Sequence, residues 1–212
     1  MSARAALCAL LWIAALLAAP AARAQEIVRV PSELANAAAH FPRGMALGNP
    51  AGDVTIVEFF DYNCPYCRQA NADLHKLIGE DRNVRLVLVH YAILGPSSIE
   101  AARVALAVAK LKPEAFAAFH ERLFSRRGRI DGAAALAAAA PTGLDRSAVI
   151  READSADATA ALKDAARLGS ALGLSATPSY VVLTDAVVGH PGLAKLKAIA
   201  AAVRACEKTE CP

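Results

Sequence analysis

Two short apolar runs, at 54–60 and 84–91, bracket a segment at 64–78 in which Leu74, Leu77 and Ile78 recur on one helical face. Runs of this length, rich in β-branched and aromatic residues, predict buried strands. A strand, a helix and a strand in that order predict a parallel pair joined by a crossover helix. The lead-in at 25–43 carries a short strand at 27–30 and a brief helix after Pro31, and 44–53 is turn-rich. Helical segments follow at 98–110, 113–124, 131–140, 145–153 and 155–172, broken by Pro141-Thr142-Gly143 and by Gly173. Pro113 opens its helix at a first-turn position, where its missing N–H needs no partner. Strands at 179–183 and 186–189 form a hairpin, and 193–204 is the last helix. The expected architecture is α/β. It runs β-α-β, a helical insertion at about 97–173, then β-β-α, within one unit of two lobes covering 44–212.

The N-terminus departs from this pattern. Arg4, the apolar stretch at 5–19 and Pro20-Ala21-Ala22-Arg23-Ala24 have the charged, apolar and small-x-small parts of a secretory signal peptide over 1–24, cleaved before Gln25. A retained membrane anchor is the alternative. Fifteen helical residues rise about 22 Å, short of the roughly 30 Å hydrocarbon core, which favours cleavage. Cys8 would leave with the leader. About 188 residues remain, enough for one domain with a sizeable core. Loss of Arg4 and Arg23 takes the formal charge from +3 to +1, which makes no electrostatic case for a nucleic-acid partner. The four remaining cysteines would sit in a compartment that permits disulfides.

The chemistry concentrates at Cys64-Pro65-Tyr66-Cys67, directly after the first strand. Two thiols in the first turn of a helix can face each other and close a bridge. The outer one also lies at the positive helix end, which stabilises the thiolate that attacks disulfides. Half of a zinc site is the competing reading of any CxxC. Here the other half is missing, because the remaining cysteines are Cys206 and Cys211 near the C-terminus and no histidine lies within four residues. Cys64 is then the nucleophile and Cys67, one turn inside, the resolving thiol. Pro65 suits the first helical turn, and Tyr66 reads either as a substrate contact or as an exposed aromatic.

Other residues carry two readings each. Glu58 interrupts an apolar strand on the face of Ile56 and Phe60. Buried without partners it would have a raised pKa and could shuttle the Cys67 proton; at a strand edge it would simply face solvent. Cys206 and Cys211 are close enough to form a structural disulfide, with a second redox pair or a metal clamp as the alternative. His40, His75, His90, His120 and His190 show no ligand spacing and read as surface or packing residues. His90, near the end of the second strand, is the one that could face the cysteines. The basic stretch Arg126-Arg127-Gly128-Arg129 reads as a solvated loop. Thr177-Pro178 precedes a strand, but spacing alone gives no reason for a cis bond there.

Gly48-Asn49-Pro50, the run from Asp53 through Arg68, Ile93-Leu94-Gly95-Pro96-Ser97-Ser98 and Ala176-Thr177-Pro178-Ser179-Tyr180 together resemble the DsbA-like branch of the thioredoxin superfamily, and within it the ScsC/Com1-like group. The resemblance spans roughly 47–203. It implies a thioredoxin-like fold with an inserted helical subdomain and a thiol:disulfide oxidoreductase without a cofactor. It implies a cis Pro178, with Thr177 offering backbone hydrogen bonds to an extended substrate, and Glu58 in the place of the family's buried acid. The implied location is periplasmic. The implied partners are unfolded or partly folded exported proteins and a membrane redox partner of the DsbB or DsbD type. The chain departs from the family at Val89-His90-Tyr91-Ala92, where relatives often carry a basic residue, and at Tyr66, where the strong oxidant has His. The short lead-in favours a monomer acting as an oxidase. A reductase or isomerase is the alternative, as is a periplasmic copper- or zinc-binding thiol protein, since soft thiolates suit Cu(I).

Overall fold

A computed structural model describes residues 27–212. The expected signal peptide at 1–24 lies outside the described residues. The chain builds a six-stranded sheet of order β1-β6-β5-β3-β4-β2. Its strands are β1 (Ile27–Arg29), β2 (Met45–Gly48), β3 (Val54–Phe60), β4 (Val84–His90), β5 (Ser179–Val182) and β6 (Asp185–Val188). Only β3 and β4 run parallel, in the register Val54↔Val84 to Phe60↔His90; the other pairings are antiparallel. The parallel pair is joined by α2 (Pro65–Glu80), as the apolar pattern predicts.

The sheet is covered on both faces, which is why β3 and β4 are apolar almost throughout. Val54, Ile56, Phe60, Leu86 and Leu88 point to one face, under α2 and α8 (Leu193–Cys206). Val57, Phe59, Val87 and Val89 point to the other, under α1 (Ser32–Ala39) and α7 (Ala156–Ala171). The first face is extended by α3 (Pro96–Leu111), α4 (Phe116–Phe124), α5 (Gly132–Ala139) and α6 (Arg146–Ala153). Short polar side chains start three of these helices. Asp131, Asp145 and Ser155 accept from the N–H three residues on, satisfying donors that have no intrahelical partner. Among the described residues no helix is long and apolar enough to cross a membrane.

Two expectations need correction. The segment at 44–53 is not simply turn-rich: Met45–Gly48 is strand β2, paired with Leu88–Arg85 of β4. Four residues ending in glycine carry too little alternation to announce a strand, and only the free edge of β4 makes one. Gly48 then leaves the edge with φ +74, and a Cβ there would stand 2.6 Å from the Val84 carbonyl oxygen. The unit drawn at 44–212 also takes in the lead-in, whose expected strand and helix form: β1 pairs with β6, and Ala35 and Ala38 of α1 are buried in the second core.

Candidate active site

β3 ends at Phe60 and delivers the chain into a short loop that α2 continues. The loop is held by its own polar side chains. Asp61 accepts from the N–H of Asn63 at 2.8 Å and of Leu94 at 3.0 Å, while its carbonyl accepts from Cys64 N–H at 3.0 Å. Asn63 reaches the helical insertion: its amide donates to the Ile130 carbonyl at 2.8 Å and to Ser98 Oγ at 3.1 Å, and its oxygen accepts from Ile130 N–H at 2.8 Å. Sequence reasoning passed over Asp61 and Asn63, because their partners lie up to 67 residues away.

Cys64 is the N-cap of α2 and Pro65 its first residue. Both cysteines are free thiols and both are buried, Cys64 at 5 % exposed and Cys67 at 0 %. Their environments separate them. The Cys64 thiolate is favoured first by the thiol of Cys67, then by Thr177 and by the backbone N–H groups of Cys67 and Tyr66. These outweigh the opposing burial and bring its pKa down to about 6. Burial does the reverse to Cys67, helped by the hydrogen bond to Cys64 and the charge of Glu58, and keeps it a thiol. One backbone donor, Asp61 N–H, lies 3.5 Å from Cys67 Sγ.

Thr177 and Pro178 stand across from the pair, joined by a cis peptide bond. The Cys64 thiol donates to the Thr177 carbonyl at 3.1 Å. The Thr177 hydroxyl is buried and has no partner of its own, so it is a donor free to turn onto a Cys64 thiolate. Pro65 is exposed, and Tyr66 is 64 % exposed beside the thiols.

Glu58 lies on β3 opposite Leu88 and Tyr180, on the sheet face beneath α2. Of its two readings, the structure has the buried one: 2 % exposed, with Oε1 unpartnered. Burial first, then negative charge at Cys64, raises its pKa to about 8. Among the described residues no basic side chain offsets it. Beside it on the sheet, the Tyr180 hydroxyl lies 2.9 Å from His190 Nδ1, and His190 Nε2 lies 2.9 Å from an Asp73 carboxylate oxygen. The carboxylate can only accept, so Nε2 carries the proton and Nδ1 accepts from Tyr180. His190 is therefore more than a packing residue, a role with no signal in the sequence because Asp73 lies 117 residues away.

His90 packs among Phe60 (4.8 Å between ring centres), Tyr62 (5.7 Å) and Phe116 (6.5 Å). Both its nitrogens are buried without partners, and burial pushes its pKa down to about 3. Neighbouring His120 is buried too and bonds the Tyr62 hydroxyl at 2.9 Å.

Cys206 and Cys211 form a disulfide at the end of α8. Arg204, in the same helical turn, is bonded to Asp53 and Asp81, at the opposite end of β3 from the CxxC. A seven-residue strand spans about 23 Å, so the two cysteine pairs do not meet. Among the described residues no group of three or more His, Cys, Asp or Glu side chains is arranged to hold a metal ion.

A buried acid, a low-pKa thiolate over a high-pKa thiol, and a cis-proline beside them are the features that dithiol–disulfide exchange calls for. Comparisons with known proteins agree. A thioredoxin-like oxidoreductase from Silicibacter pomeroyi DSS-3 is 39% identical with a TM-score of 0.73, over 78% of this chain and 94% of that one. The catalytic domain of Proteus mirabilis ScsC is 26% identical with a TM-score of 0.69, over 76% of this chain and 90% of that one. Disulfide bond formation protein D of Bacillus subtilis (strain 168) is 36% identical over 85 residues, which span 38% of each chain, so this match covers well under half of that relative. The model of the DSBA-like thioredoxin domain matches residues 55–201. The chain belongs to the DsbA-like thioredoxin-domain family of thiol:disulfide oxidoreductases.

Proposed function

We propose that the protein is a periplasmic disulfide donor that passes its Cys64–Cys67 bridge to exported polypeptides. The supporting observation is the asymmetry of the pair. Donors converge on Cys64 while Cys67 is sealed in the core. Stabilising the Cys64 thiolate stabilises the reduced protein and so makes its disulfide the stronger oxidant.

A substrate thiolate attacks Cys64 Sγ, the bridge breaks, and Cys67 leaves and takes up a proton. Glu58, protonated at neutral pH and beneath the pair, supplies it. A second substrate thiolate then attacks the substrate sulfur of the mixed disulfide and expels Cys64 as its stabilised thiolate. The substrate is oxidised by two electrons and the CxxC reduced. Thr177 and Pro178 present their backbone to the extended substrate, and Pro65 and Tyr66 form the exposed rim of the same site. A membrane partner of the DsbB type would restore the bridge. The leader at 1–24 is the support for a periplasmic location.

The test is the reduction potential of Cys64–Cys67 in glutathione buffers, with Cys206 and Cys211 replaced by Ser. A value of about −120 to −180 mV supports the donor. A value of about −230 to −270 mV would instead mean a reductant or isomerase kept reduced by a DsbD-type partner, or a thiol metal carrier. In Cys64→Ser the substrate adducts disappear.

A further inference from the structure

The stretch Arg126-Arg127-Gly128-Arg129 is more than a solvated loop. Its side chains are exposed, but the backbone on either side of it is fixed to the active site. Ile130, wholly buried, exchanges two hydrogen bonds with Asn63, the residue before Cys64. Arg68, the residue after Cys67, donates to the Arg126 carbonyl. The loop is therefore held beside the CxxC, and Arg68 adds a fourth guanidinium.

These charges are largely unspent. Arg68, Arg126 and Arg127 take part in no ion pair among the described residues, and Arg129 reaches only Asp131, at 4.0 Å. The neighbouring carboxylates keep their charge but are held in place by other partners. Asp131 caps α5, Glu100 accepts from Gly132 N–H, and Glu121 holds Asn71 and His75. Apolar surface lies on the same rim, with Tyr66 64 % and Leu94 52 % exposed, and Leu94 is tied to the active-site loop through Asp61.

We propose that this arginine loop, with Arg68, is a docking surface that recruits polypeptide segments carrying carboxylates close to their cysteine. It deepens the disulfide-exchange reading and rests on it. Recruitment precedes exchange and changes no bond. A rim with an excess of one sign beside a reactive sulfur raises the encounter rate of an oppositely charged chain, and salt removes the effect. The apolar part of the rim fits an unfolded polypeptide better than a lipid headgroup.

The test uses two-cysteine peptides that are identical except for Glu-Glu, Ser-Ser or Lys-Lys beside one cysteine. Their rates with the oxidised protein are measured in stopped flow. Each is divided by the same peptide's rate with the neutral disulfide 2,2′-dithiodipyridine, which removes differences in intrinsic thiol reactivity. At low salt the Glu peptide should react about tenfold faster than the Ser peptide, and the Lys peptide slower still. The ratios should approach one in 1 M NaCl and in the exposed-loop variant Arg126→Ser/Arg127→Ser. Equal normalised rates, or a preference the double variant retains, overturn the recruitment and leave the exchange reading standing. No reaction with any peptide overturns both. Equal rates together with Arg126- and Arg127-dependent sedimentation on phosphatidylglycerol vesicles would make the loop a membrane contact, and the proposal would fall.

Discussion

At the scale of single residues the site works by unequal burial. Cys64 and Cys67 are one helical turn apart, yet donors lower one thiol and burial raises the other, so the pair has a built-in direction of attack. Glu58 and His90 show what such burial does to stability. The Glu58 pKa rises from 4.5 to about 8 on folding, so the folded protein holds this proton more tightly than the unfolded chain. The stability associated with it is complete below pH 4.5 and falls as pH rises through 8. Glu58→Gln should remove that loss. Urea titrations should show the variant gaining on the wild-type protein between those pH values, by at most about 5 kcal/mol at the alkaline end, and mixed-disulfide formation should slow. For His90 the sign is opposite. Its pKa falls from 6.5 to about 3 on folding, so its contribution is intact above 6.5 and is lost as pH falls toward 3. His90→Phe should flatten that part of the acid limb in the same titrations, by up to about 4 kcal/mol near pH 3. The share owed to His120 would remain.

At the scale of elements, close packing carries the insertion and its covering helix. α7 lies on the second face of the sheet through Gly169, where a Cβ would stand 2.6 Å from Tyr91 Cε2. The Tyr91 hydroxyl in turn donates to the Leu174 carbonyl at 2.9 Å, so the ring cannot swing away without losing that bond. Gly169→Ala should therefore destabilise by about 1–3 kcal/mol despite the better helix propensity of Ala, as read from the midpoint of chemical denaturation. Reduced destabilisation in a Tyr91→Leu background would identify the ring as the cause. The CxxC loop depends on the same kind of contact, because Asn63 ties it to Ile130 and Ser98 of the insertion.

At the scale of the whole molecule, the two cysteine pairs lie at opposite ends of the sheet. The Cys206–Cys211 bridge closes a loop with a sequence separation of 5, worth about 2 kcal/mol in the chain-entropy model. Cys206→Ser/Cys211→Ser should lower the melting temperature by about 4–8 °C. The Cys64–Cys67 reduction potential should be unchanged. A shift in that potential would show that the two ends communicate.

The strands β3 to β6, the crossover helix, the helical insertion and the CxxC at its strand–helix junction were legible in the sequence, because apolar period and motif spacing are local properties. Glu58 was legible as an anomaly, an acid in an apolar strand with a buried and a solvent-facing reading, and the structure has the buried one. Strand β2 was not, since four residues make an edge strand only when β4 offers its free side. The Asn63 clamp, the Asp73–His190–Tyr180 chain and the seating of Arg126 to Arg129 beside Cys64 were also invisible. Each depends on a contact between residues 58 to 117 positions apart, and side-chain hydrogen bonds at that separation are set by how helices pack on the sheet. The sequence by itself determined the fold class and the CxxC on which the proposed chemistry rests. Tertiary structure alone decided which thiol is sealed from water, and it placed the buried carboxyl beneath the pair and the positive loop at its rim, because burial and long-range contact exist only once the chain has closed on itself.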